Sequence, residues 1–124
     1  MALVTGKLSG AHSGPMTRWR PRVFFILNRA TLHGGTLVVD QPVEAKVNGV
    51  NFSVTLEPTY TGEFYRVEVW YFNDFDEVVD KRTIYKEIQV PERGGDLGGS
   101  VNAVLAPDSV SYTHLRAHET RGNL

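Results

Sequence analysis

The residues best equipped for chemistry cluster at a few places in the chain. His114 and His118 are four apart with Glu119 adjacent, a spacing that puts two imidazoles on one helix face, as a zinc ligand pair needs. The order is not that of a metalloprotease motif, and the sequence offers no third ligand. Thr17-Arg18-Trp19-Arg20-Pro21-Arg22 interleaves arginines with a tryptophan, a chemistry that stacks on sugars or bases and clamps anions. Trp70 and Phe72 fall on the strand face that Arg66 and Glu68 make polar, which predicts that these aromatics stand exposed. Arg18, Trp19, Arg20, Trp70 and Phe72 are therefore the candidate contacts for a protein partner or a glycan. The plainer expectation is a subunit contact, or packing beneath the Arg-rich loop, because aromatics and arginine are enriched at protein interfaces generally.

Other groups promise less. Asp74, Asp76, Glu77 and Asp80 form an acidic cluster, FNDFDEVVD, whose oxygens suit a hard cation such as calcium. The cluster lacks the glycine and terminal glutamate of a helix–loop–helix calcium site, so a solvated β-turn is expected. Gly94, Gly95, Gly98 and Gly99 suggest a phosphate cradle, but no Lys-Ser/Thr follows, and a flexible linker is the expectation. His12 and His33 each stand in a loop beside Gly with no evident acid partner, and both are expected in solvent. Neither a nucleophile with its base nor a pair of carboxylates in a cleft emerges. The expectation is a protein that is not an enzyme and has no metal and no cofactor.

The elements that must position these groups are strands. Alternation of period two dominates. Leu3–Leu8 predicts an opening strand and His12–Pro21 a loop. Val23–Asn28 (VFFILN) has the continuous apolar pattern of a central strand buried on both faces. His33-Gly34-Gly35 turns the chain into Thr36–Asp40, and Pro42 marks an edge or bend. Asn48-Gly49 predicts a two-residue hairpin turn with positive φ at both residues. That turn sets Val47 against Val50, Ala45 against Phe52 and Val43 against Val54, all six on one face. In Phe64–Phe72 the odd positions Tyr65, Val67, Val69 and Tyr71 form the expected core face. Asn73–Glu77 is a turn, and Val78-Val79 with Thr83–Val90 supplies a last strand or pair, with Ile84, Ile88 and Val90 inward. Roughly seven short strands at regular spacing predict an all-β, two-sheet sandwich of immunoglobulin-like or transthyretin-like type. The expected domain is 1–91, followed by a Gly-rich linker at 92–109 in which Ser100–Ala106 could form a partial helix.

Composition narrows the class. The chain of 124 residues carries a net charge of −1, which gives no broad attraction to nucleic acid or anionic lipid. No apolar run is long enough to span a bilayer, and MALVTGKLSG lacks the basic start and apolar stretch of a secretory signal. Without cysteine there is neither a disulfide frame nor a thiolate nucleophile.

Two resemblances bear on this reading. Val110–Thr120 (VSYTHLRAHET) resembles the translated read-through of a transposase-type sequencing-library adapter, matching it residue for residue. Arg121 and Gly122 would then come from the sample index, and Asn123 and Leu124 from the next fixed bases. That resemblance implies that 110–124 is not evolved protein, which removes the His114–His118 pair from consideration as a metal site. It also implies that the natural continuation after Asp108 is missing.

Val90–Pro107 (VPERGGDLGGSVNAVLAP) resembles the end of the N-terminal β domain of minor tail proteins from phages that infect actinobacteria. There a last strand closes in Val-Pro, and a Gly-Gly linker leads to Leu and Ala-Pro. Leu3–Leu8, Gly35–Pro42, Phe52–Pro58 (FSVTLEP) and Tyr65–Trp70 (YRVEVW) extend the likeness over most of 2–107. The final strand departs from the family in having Tyr85 where a tryptophan is usual. The resemblance implies a structural virion component, assembled in the host cytoplasm, that contacts other tail proteins or itself. The alternative expectation is a carbohydrate-binding sandwich that recognises host-surface glycans.

Overall fold

A computed structural model describes residues 1–8 and 20–106. In chain order the strands are β1 (Ala2–Lys7), β2 (Arg20–Leu27), β3 (Thr31–His33), β4 (Thr36–Val38), β5 (Val43–Glu44) and β6 (Lys46–Asn48). They continue with β7 (Asn51–Leu56), β8 (Tyr65–Phe72), β9 (Val78–Gln89), β10 (Gly95–Asp96) and β11 (Asn102–Leu105). The described residues contain no helix. One sheet has the order β10-β1-β7-β6, a second β11-β9-β8-β2-β5, and β3-β4 stands apart as a hairpin. Among the described residues every pairing is antiparallel except that of β1 with β10. The chain is an all-β sandwich.

Period-two patterning explains how the sheets face each other. Val4, Phe52, Val54 and Leu56 from one sheet meet Val23, Phe25, Leu27, Tyr65, Val67, Val69 and Ile88 from the other in a single buried cluster. Phe25 and Phe52 touch across the gap with ring centroids 6.3 Å apart. Burying a side chain as large as Phe25, which is fully enclosed, stabilises the fold by about 1.5–3 kcal/mol. β2 is buried on both faces, as its unbroken apolar run requires, because Phe24 and Ile26 are covered on the outer side. Ile88 and Val90 point inward and Ile84 packs at the margin of the core.

The central hairpin forms where expected but two residues out of the expected register. Asn48 pairs with Asn51 and Val47 with Phe52, so the turn residues are Gly49 and Val50. Only Gly49 takes a positive φ (66°), the pattern of a turn with glycine at its first central position. The shift keeps the predicted faces, since it is an even number of residues. The strand before the turn also changes sheets. Val43 and Glu44 pair with β2, whereas Lys46–Asn48 pair with β7. Ala45, buried at the crossing, donates its N–H to the Val23 carbonyl at 2.9 Å. Val43, Val47 and Val50 are left exposed at the rim.

Residues 92–106 are part of the sandwich and not a linker. Gly95 and Asp96 pair with Val4 and Thr5, and Leu97 N–H donates to the Thr5 carbonyl at 2.9 Å. Asn102–Leu105 pair with β9, which replaces the expected partial helix by a strand. Val101 and Ala106 are buried. Gly94 lies at φ 75° against β1, and a Cβ there would fall within the Leu3 backbone. β2 begins at Arg20, inside the predicted loop, and Val78–Gln89 is one long irregular strand.

Candidate functional site

The outer face of the five-stranded sheet gathers the described aromatic and basic residues singled out by the sequence. Cross-strand register places Arg22 beside Trp70 and Arg20 beside Phe72. Trp70 stacks on Phe24 with centroids 4.0 Å apart, and Lys81 Nζ lies 4.1 Å from the Trp70 ring centre on the adjoining strand. The Trp70 indole N–H donates to Glu68 Oε1 at 2.8 Å, and Glu68 Oε2 takes Arg66 Nε at 2.6 Å. Phe72 is buried, contrary to the exposure expected of it, because Phe24 packs beside it and the Arg22 guanidinium lies 4.4 Å from its ring centre. Trp70 is half-buried for the same reason. These aromatics form a covering layer over β2, locked by cation–π contacts of about 0.5–2 kcal/mol each.

The two described arginines of the segment, Arg20 and Arg22, are engaged within the fold. Arg22 grips Glu44 through Nε at 2.6 Å and Nη2 at 2.8 Å. That bidentate bond holds the Glu44 carboxyl below the usual carboxylate range against the opposing effect of burial. Arg20 ties β2 to the β8–β9 turn through the Asn73 carbonyl at 2.7 Å and Asp76 Oδ1 at 2.5 Å. In that turn Asn73 Oδ1 accepts the N–H groups of Phe75 and Glu77, and Asp80 pairs with Arg82. The acidic cluster thus supplies turn and ion-pair partners. Arg18, Trp19, His12, His114 and His118 lie outside the described residues.

The buried charged centre was not visible in the sequence. His33 ends β3 with only 6% of its side chain exposed, the reverse of the solvent-exposed loop histidine expected there. Its Nε2 is 2.9 Å from Glu63 Oε1 and its Nδ1 3.4 Å from Glu57 Oε1, while its ring stacks on Tyr60 at 4.3 Å. Glu63 is the one buried charged residue among the described residues. Burial pushes its carboxyl up, but the Tyr60 N–H, the Thr31 side chain and His33 together hold it below the ordinary value. Close by, the Tyr65 hydroxyl donates to the Glu57 carbonyl at 2.9 Å. Desolvation, with the Glu57 and Glu63 charges, leaves that phenol pushed up to about 12. The cluster pins the β3–β4 hairpin to the 57–63 loop.

Beyond that pin the hairpin presents apolar surface. Leu32 and Leu37 are cross-strand partners exposed to 67% and 64%, with Val39 exposed just beyond. Among the described residues no group of three or more His, Cys, Asp or Glu is arranged to hold a metal ion. Among them, too, no helix is long and apolar enough to cross a membrane. The chain matches no protein-family description, curated protein or solved structure at a significant level.

Proposed function

We propose that this chain is a non-enzymatic β-sandwich domain of a phage minor tail protein, working in the virion through contacts with other tail proteins or with itself. The observation that carries the reading of a protein-contact module is the exposed Leu32–Leu37 pair on a hairpin anchored by buried charge. Two leucines side by side in solvent gain nothing for the isolated fold, and an apolar patch on a rigid arm suits a partner surface. The resemblance of Val90–Pro107 to the tail domain supplies the particular setting.

Co-expression with the products of the adjacent genes tests both parts. Tail-tube, tape-measure or other tail genes should flank the reading frame, and the chain should co-purify with one of their products. Leu32→Ser with Leu37→Ser should weaken that association by about 1–3 kcal/mol without lowering the melting temperature. A polysaccharide-degrading gene cassette around the frame, or association indifferent to both substitutions, would overturn the proposal.

A further inference from the structure

Tyr60 also lines a second surface. An open, mainly polar groove of about 590 Å3 runs between the 59–62 loop and the segment that joins β9 to β11. Its volume lies within the range of about 300–1,000 Å3 typical of small-molecule sites. The two walls are latched together. Thr59 N–H donates to the Val90 carbonyl at 2.9 Å, and Val90 N–H donates to Thr59 Oγ1 at 2.8 Å.

Tyr60 is half-exposed, at 51%, with its ring stacked on the buried His33. Its backbone is held at both ends by Glu63: the Tyr60 N–H reaches Glu63 Oε1 at 3.0 Å, and the Glu63 N–H reaches the Tyr60 carbonyl at 2.9 Å. The buried charge cluster therefore fixes an aromatic ring at the edge of the groove.

The opposite wall carries polar side chains that make no bond to one another or to the rest of the described residues. Gln89 and Asn102 are directly paired across β9 and β11, so their amides stand side by side, and both residues are exposed. Arg93 is exposed and also lines the groove. Among the described residues, the side chains of Gln89, Asn102 and Arg93 have no hydrogen-bond or ion-pair partner.

We propose that this groove binds a saccharide bearing a carboxylate, with Tyr60 as the stacking platform, Gln89 and Asn102 on ring hydroxyls and Arg93 on the carboxylate. Each amide offers both a donor and an acceptor, which matches hydroxyl groups that are themselves both. A lone guanidinium suits one planar carboxylate held bidentately. The chain's small negative charge disfavours a polyphosphate, and a mainly polar lining disfavours an apolar peptide. The sequence pointed to Trp19 and Trp70 as sugar platforms; Trp70 is instead stacked on Phe24 and capped by Lys81. Saccharide binding in this groove requires no role in a phage tail, and a tail role requires no saccharide.

The test is a titration of the full, isotopically labelled chain with glucuronic acid, glucose and inorganic phosphate, followed by amide chemical shifts. Glucuronate should give saturable shifts confined to residues 59–62, 89–93 and 100–102, glucose weaker ones at the same positions, and phosphate none. Gln89→Ala and Asn102→Ala should each weaken glucuronate binding roughly tenfold, the effect of losing one good hydrogen bond. Arg93→Gln should abolish the preference for glucuronate over glucose. All three positions are exposed, so unchanged melting curves confirm folded variants. No saturable shift with glucuronate or its oligosaccharides, shifts centred elsewhere, or equal response to glucose or phosphate would each overturn the proposal.

Discussion

Glu63 is the one buried charged residue among those described, and the acid limb of stability should report it. Glu63 is held below the ordinary glutamate value of 4.5, so its contribution is fully present above that pH and is lost as pH falls through the folded value. Glu63→Gln should cost about 1–3 kcal/mol at neutral pH, and the gap from the parent in thermal melts should close as pH falls below 4.5 and through the lowered folded value. A gap that stays constant into acid would show that the carboxylate charge is not what matters. Trp70→Ala gives a second reading at this scale. It uncovers Phe24, and should lower the denaturation midpoint by the equivalent of about 1–3 kcal/mol; an unchanged midpoint would return Trp70 to the surface role first expected of it. The sequence could identify the aromatics but not their packing, because Phe24 and Trp70 meet only once β2 and β8 pair. The charge cluster was hidden for the same reason: its carboxylates lie 24 and 30 residues from His33, and its imidazole sits beside glycines that suggest an exposed turn.

Among the elements, patterning specified faces well and register poorly. A slip of two residues in the β6–β7 hairpin leaves Val47 and Phe52 on one shared face, so the apolar alternation could not distinguish a turn at Asn48-Gly49 from one at Gly49-Val50. The strand's change of sheet at Ala45 likewise leaves no mark in a period-two pattern. Paired substitutions separate the two turns. Gly49→Val forces a β-branched residue to φ 66° and should cost about 1–3 kcal/mol in either case. Asn48 has no positive φ here and sits at the last strand position, so Asn48→Thr should change stability by no more than about 0.5 kcal/mol. A loss from Asn48→Thr as large as that from Gly49→Val, measured by urea denaturation, would restore the Asn48-Gly49 turn.

For the molecule as a whole, the question is where the folded unit stops. Glycine content made 92–106 look like a linker, yet Gly94 and Gly95 in this segment serve close packing. With Gly94 against the Leu3 backbone, the chain can add β10 to one sheet and β11 to the other. The same residues that resemble a tail-protein linker thus bind the two edges of the sandwich together, and composition could not reveal this because the partners, Val4 and Gln89, come from opposite ends of the domain. Two variants define the boundary. Gly94→Ala combines a strained φ with a backbone overlap and should cost about 2–5 kcal/mol. A chain ending at Asp108 removes only what resembles adapter-coded sequence together with Ser109, and should melt within about 2 °C of the full chain. Calorimetry on both decides the matter. A tolerated Gly94→Ala would mean that β10 does not hold the sheets together, and a large drop on truncation at Asp108 would mean that residues 109–124 fold with the sandwich and that their adapter resemblance misleads.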